Sequence, residues 1–225
     1  MHMDNRNDDI LSYAAEYLLW QQKRARRDKI IKVLIVLAVL GVLCVCAYLY
    51  SNDWYVMSRK NSDVEKEFRE EWKNGAEHVD LTGDWSEDVL AIAESQVGYT
   101  ESNDEDWSAV FVSFCLSYAK VKSFPLETEC NQWVQKLRKR KDGIYRDASK
   151  YTPTSGDLIF LDMNDPASRK IADHVGIVAE VIPATDVSCA KIKTVEGDTD
   201  DSVNYVIYDL TDIRIIGYGK IPDAR

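Results

Sequence analysis

An uncharged and mostly aliphatic run from Val33 to Leu49 (VLIVLAVLGVLCVCAYL) constrains this chain more than any other feature. With Ile30, Ile31 and Tyr50 it reaches the roughly 20 residues needed to cross the hydrocarbon core of a bilayer. A segment so apolar must be buried in lipid or deep in protein, so residues 30–50 are expected to form a transmembrane helix. A cleaved signal peptide is the competing reading, but its apolar part is shorter, about 7–15 residues, and lies nearer the start, with a small-residue cleavage site behind it.

The flanks of the run set its orientation. Lys23, Arg24, Arg26, Arg27, Lys29 and Lys32 crowd its N-terminal side, whereas the far side opens with Ser51, Asn52 and Asp53. The excess of basic residues marks the cytoplasmic side. The first 29 residues are therefore expected in the cytoplasm and the C-terminal part outside it, in a single-pass arrangement. Residues up to Lys32 hold five acidic and seven basic side chains out of totals of 38 and 28, which leaves 33 acidic against 21 basic beyond that point. So acidic a remainder argues against nucleic acid as a partner. Of the five cysteines, Cys44 and Cys46 lie in the apolar run and Cys115, Cys130 and Cys189 are scattered. No pair has metal-ligand spacing, so neither a zinc site nor a disulfide framework is expected, and no cofactor.

Before the basic cluster, Ile10, Tyr13, Ala14, Tyr17 and Leu18 recur at helical spacing, which predicts a short amphipathic helix lying at the inner membrane surface. After the span, Ser62-Asp63-Val64-Glu65 has the capping-box pattern, and Gly75 stands where a helix would end. Residues 51–84 thus read as a stalk with a charged helix, and residues 85–225 as the globular domain. A helix beginning at Asp84 to Ser86 opens that domain. Ala109 to Ala119 (AVFVSFCLSYA) is apolar on nearly every face yet too short to span a membrane, which predicts a helix buried centrally in the domain. An amphipathic helix with a basic end follows from Thr128 to Arg140. Past Pro153 come five short β-branched runs, LIFLD, HVGIVAEVI, AKIKTVE, VNYVIYDL and IRIIGYGKI, separated by turn residues. Helices first and strands afterwards predict an α+β fold with a mostly antiparallel sheet.

Few residues in this domain suit catalysis. Of the two histidines beyond the apolar run, His78 falls in the stalk, and His174 opens the alternating strand HVGIVAEV, where its ring can stand at the rim of the sheet. Glu196 ends the strand KIKTVEG, and an antiparallel neighbour can bring its carboxylate to that ring, making an oriented base. Ser108 stands where the buried helix begins, at the positive end of the helix dipole. Each has a plain structural reading as well: a histidine at a strand start is commonly structural, and serine is among the best N-cap residues. Asn103, Asp104 and Asp106 offer oxygens to a cation, but they lack a spaced loop with a bidentate terminal glutamate and read as a solvated acidic loop, as do Asp198, Asp200 and Asp201.

The segments AIAESQVGYTE, WSAVFVSFCLSYA, CNQWV, PTSGDLIFLD, DHVGIVAEV, TVEGDT and IIGYGKI, in this order from about Trp85 to Ile221, together resemble the CHAP domain. This is the cysteine- and histidine-dependent amidohydrolase/peptidase family of papain-related hydrolases. The resemblance implies a papain-related α+β fold in which a cysteine at a buried helix N-terminus faces a histidine and a polar third residue on the sheet. It also implies cleavage of peptidoglycan, as an N-acetylmuramoyl-L-alanine amidase or a peptide-bridge endopeptidase, in a bacterial cell envelope. His174 matches the family's histidine and Glu196 its orienting carboxylate, while Asp198 stands where an asparagine is frequent and is at most a helper.

The chain departs from the family at the nucleophile. Family members read W-C-A-x-F-V-S-x-C, where this chain reads Trp107-Ser108-Ala109-Val110-Phe111-Val112-Ser113-Phe114-Cys115. Cys115 matches the second, non-catalytic cysteine and stands seven residues further on, about 10 Å along the helix axis, so it cannot replace the first. A thiol ionises against an imidazole, whereas a serine hydroxyl must lose its proton as attack occurs. The expectation is a hydrolase site that is inactive or severely impaired with Ser108. The competing expectation is a non-catalytic module that binds the cell wall or a partner protein in an envelope, secretion or conjugation assembly. A true serine hydrolase using Ser108, His174 and Glu196 is a third.

Overall fold

The computed structural model describes residues 5–101, 105–122, 124–140, 142–168 and 171–222. They form two compact units, residues 1–56 and 57–225. Asn103 and Asp104 of the acidic loop, and the side chains of Ile10, Tyr13 and Ala14, lie outside the described residues.

The first unit is helical. Helix α1 runs without interruption from Asn5 to Val64, where the sequence suggests separate amphipathic, membrane and stalk pieces. The stretch contains no proline and a single glycine, Gly41, so nothing in it breaks the hydrogen-bond ladder. Its apolar stretch between Glu16 and Tyr50 is long and apolar enough to cross a membrane, and none of it is buried inside the protein. Length and composition suit a membrane anchor or a signal sequence.

The second unit starts at Met57, so the domain boundary expected at Trp85 falls inside it. Residues 57–84 are part of its core. Val64 is buried at the end of α1, and Trp72, on the short helix α2 (Glu70–Ala76), is fully buried. Its ring packs against those of Tyr99, Trp107, Phe111 and Phe114 at centroid distances of 5.5–5.7 Å. A buried tryptophan removes more apolar surface from water than any other side chain, and this overrides the charged character that suggests a stalk. Nor does the capping-box pattern at Ser62 open a helix: residues 62–64 finish α1, a single 3₁₀ turn follows at Glu65–Glu67, and Gly75 lies within α2. Glu127 is buried and ion-paired to both Lys60 and Lys136, while Asn61 Oδ1 accepts the Leu126 N–H at 3.3 Å, which ties the last turns of α1 to the domain.

Helix α3 (Trp85–Glu94) is capped by Asp84, whose side chain accepts the N–H groups of Ser86 and Glu87. Helix α4 (Ser108–Tyr118) is buried on every face over its first nine residues, as its composition requires, and α5 (Cys130–Lys139) is amphipathic, burying Trp133, Val134 and Leu137. The strands are β1 (Tyr145–Asp147), β2 (Leu158–Leu161), β3 (His174–Ile182), β4 (Lys191–Glu196), β5 (Asn204–Asp209) and β6 (Ile215–Gly219). They form one six-stranded antiparallel sheet in the order β1-β6-β2-β3-β4-β5. The α+β class and the five strands after Pro153 agree with the sequence reading. The three-residue β1 is too short to leave a periodic signal.

Alternation places two cores on the sheet's two faces. Leu158, Phe160, Val175, Ile177 and Val195 join the helices, whereas Ile159, Leu161, Val178, Ile192 and Tyr208 form a second cluster with Ile215 and Tyr218. Buried on both faces, β2 has no polar alternation and reads as a continuous apolar run.

Candidate active site

His174 is the first residue of β3 and pairs with Leu161, while Gly176, two residues on, pairs with Glu196 of β4. A period of two puts residues 174 and 176 on one face, and cross-strand pairing puts Glu196 there too. His174 Nε2 meets Glu196 Oε2 at 2.9 Å, with the two side chains 13% and 1% exposed. A carboxylate can only accept, so Nε2 carries the hydrogen and Nδ1 is left as the ring's basic atom. Burial pulls the imidazole pKa down, but the hydrogen bond and charge of Glu196, with the nearby charges of Asp106 and Asp198, outweigh it and hold the value above that of an ordinary histidine.

Glu196 is itself held by several hydroxyls. Thr194 Oγ1 donates to Oε1 at 2.5 Å, and Tyr208 OH and Thr199 Oγ1 donate to Oε2 at 3.0 and 3.5 Å. Thr194 precedes it by one period on the same strand face, and Tyr208 comes from β5. A buried carboxylate needs such donors, because an unpaired charge in a dry site is expensive.

Ser108 is fully buried at the first position of α4. Trp107 occupies the cap position, and Asp106 supplies the capping acceptor: its Oδ1 takes the Ser108 N–H at 3.1 Å and the Ser108 hydroxyl at 2.9 Å. The simple N-cap role suggested for Ser108 by its residue type thus passes to Asp106. The same Asp-x-Ser unit recurs twice, Asp84 holding the N–H and hydroxyl of Ser86 and Asp147 those of Ser149. Ser108 Oγ also lies 3.4 Å from Cys130 Sγ at the start of α5. Burial pushes the Cys130 thiol up to about 12 and the Cys115 thiol up as well.

The two halves meet at the rim. After β4 the chain turns through Gly197 and Asp198, and Gly197 packs so closely on Trp107 and Phe111 that a Cβ there would stand 2.7 Å from atoms of both side chains. Asp198 Oδ2 accepts the Trp107 N–H at 3.1 Å, and its carboxyl also meets that of Asp106. Burial and this second carboxyl raise Asp198 to about 6, against the lowering effect of the Trp107 N–H and of His174. Asp198, Asp200 and Asp201 all have positive φ, a conformation that aspartate tolerates better than most side chains.

The fold therefore brings Ser108, Asp106, Asp198, His174 and Glu196 to one end of the sheet. Among the described residues no hydrogen bond joins Ser108 to His174, because the hydroxyl is turned to Asp106 and Cys130. Cys130, Thr194 and Tyr208 are absent from the sequence-predicted site, and Asp106 enters that reading only as a loop oxygen. The Asp-x-Ser pattern, which forms this unit at three of its five occurrences, and the Thr-x-Glu spacing in a strand are the local signals that point to Asp106 and Thr194. Among the described residues no group of three or more His, Cys, Asp or Glu is arranged to hold a metal ion. No protein-family model matches the chain, and neither a curated protein nor a solved structure is found to be significantly similar to it.

Proposed function

We propose that the chain is a membrane-anchored domain of the CHAP kind directed at bacterial peptidoglycan, with an amidase or peptide-bridge endopeptidase site in which serine stands in the nucleophile's place. The observation that carries this reading is the His174–Glu196 pair at 2.9 Å, with ring Nδ1 left as a base at the end of the sheet where α4 begins. Imidazole backed by a buried carboxylate is what a thiol at position 108 would need in order to ionise. The apolar helix with basic residues before it fits a cytoplasmic N-terminus and an extracytoplasmic domain, which would put the site at the cell wall.

The Asp106–Ser108 contacts favour a second reading, a non-catalytic module that binds wall peptides or an envelope partner. The Ser108 hydroxyl is spent on Asp106, the carboxylate that caps the helix, in the same unit that holds Ser86 and Ser149. Binding requires only the groove.

Purified full-length protein and its Ser108→Cys variant, both in detergent with reductant, distinguish these readings when muropeptide release from purified sacculi is assayed. Release by the cysteine form alone establishes the hydrolase site. Retention on sacculi without release by either form supports the binding module, and release by the serine form would assign turnover to Ser108.

A further inference from the structure

Tyr208 approaches the carboxylate oxygen that faces the histidine. Its ring is 3% exposed in the second core, and its hydroxyl donates to Glu196 Oε2 at 3.0 Å, beside His174 Nε2 at 2.9 Å on the same oxygen. A buried tyrosine hydroxyl needs some acceptor, and that alone accounts for a hydrogen bond. The choice of acceptor has a chemical consequence: donors that share one oxygen compete for its charge, and beside the ring and the phenol the only other donor on Oε2 among the described residues is Thr199 Oγ1 at 3.5 Å. Behind the ring, the Arg214 guanidinium lies 4.8 Å from the Tyr208 centroid. Asp212 grips it at 3.0 and 2.7 Å. A cation over a phenol ring favours charge on its oxygen and makes the hydroxyl a stronger donor.

We propose that Tyr208 is a positioning residue of the His174–Glu196 pair: by sharing Oε2 with the ring, its hydroxyl limits how tightly the carboxylate holds the imidazolium, and so keeps His174 able to release a proton. Arg214, stacked behind it, strengthens that effect from the surface. The charged groups that act on His174 are Glu196 from β4, with Tyr208 and Arg214 behind it, Asp106 from the segment before α4 and Asp198 from the turn after β4. Without the Tyr208 hydroxyl, Glu196 stays seated, because Thr194 still donates to Oε1 and Gly176 leaves it room. Its charge then falls more fully on His174, and the protonated ring is favoured.

Histidine titration by NMR tests this on the full-length protein in detergent micelles. With ring-labelled histidine only His2, His78 and His174 report, and His174→Gln identifies the relevant signal. Tyr208→Phe is expected to raise the His174 pKa by about half a unit, while Tyr218→Phe, at a buried tyrosine set edge-on to Tyr151 in the same core, leaves it in place. An unchanged or lowered His174 pKa in Tyr208→Phe would overturn the proposal. If that variant does not fold, Thr194→Val, which removes the donor on Oε1, is expected to shift the signal the same way, and its failure to do so counts equally against the idea. The proposal rests on the reading of His174 as the site's base. The titration needs no substrate, however, so its outcome is separable from that of the sacculus assay.

Discussion

Glu196 lies so close over Gly176 that a Cβ on residue 176 would stand 2.6 Å from Glu196 Cγ and 3.1 Å from Oε1. The glycine is there for room, since it faces its strand partner directly across β3 and β4. Gly176→Ala must push the carboxylate off its seat. The expected result is a loss of about 1–3 kcal/mol of stability from overpacking, together with a His174 pKa that falls toward the ordinary histidine value as the Glu196 contact opens. Urea unfolding and histidine NMR measure the two effects. A variant that keeps both would mean that the pair does not depend on this close approach.

The position of Trp72 in the core sets where the minimal folded domain begins. A chain starting at Trp85 loses Val64, Trp72 and Ala76, all buried, and with them the centre of the aromatic cluster around Trp107. It is expected to lack the near-ultraviolet circular dichroism of packed aromatics, whereas a chain starting at Met57 retains it. In the full-length protein Trp72→Ala is expected to cost about 3–5 kcal/mol. Equal spectra from the two truncations would show that residues 57–84 are dispensable.

Asp198 carries a pH signature. Its carboxyl is raised to about 6 in the folded protein, mainly by burial and by Asp106, against an unfolded value of 3.8. A raised acid destabilises the fold where it is ionised, above pH 6, and this penalty fades as pH falls from 6 toward 3.8. Asp198→Asn keeps an acceptor for the Trp107 N–H, gains a donor toward Asp106 and tolerates the positive φ of 64°. It is expected to stabilise by about 1 kcal/mol at about pH 7.5, discounted for partial solvent screening, with the advantage lost near pH ~4. Thermal melts at the two pH values check it, and a gain independent of pH would remove the titration from the explanation.

A thiol at position 108 would face a second thiol. Ser108 Oγ stands 3.4 Å from Cys130 Sγ, and the longer C–S bond brings residue 108 nearer to the roughly 2.05 Å of a disulfide. The Ser108→Cys variant is therefore expected to close a disulfide between its new thiol and Cys130 on mild oxidation, seen as loss of two hydrogens by mass spectrometry and abolished by Cys130→Ser. Two intact thiols after oxidant would show that the side chains cannot align. The same contact is the reason for reductant in the sacculus assay.

Much of the fold is legible in residue patterns. The apolar helix, the largely buried α4, the five later strands and the α+β class follow from periodicity and composition, because each is a local consequence of where apolar side chains recur. Residues 57–84 mislead for an equally physical reason: charged side chains make up nearly half of them, while one buried tryptophan decides their position. His174 and Glu196 are legible as a pair, since a strand-opening histidine and a strand-ending glutamate on adjacent antiparallel strands share an end of the sheet.

The sequence by itself determined most of the helices and strands and the long apolar helix, and that a carboxylate and an imidazole would be available at one rim. Only the tertiary structure decided what those groups touch. It turned the Ser108 hydroxyl to Asp106 and Cys130, set Tyr208 against Glu196 and joined Asp198 to Trp107. These contacts bring together residues up to 91 positions apart in the chain. They are fixed by strand register and by helix packing on the sheet, which no local periodicity encodes.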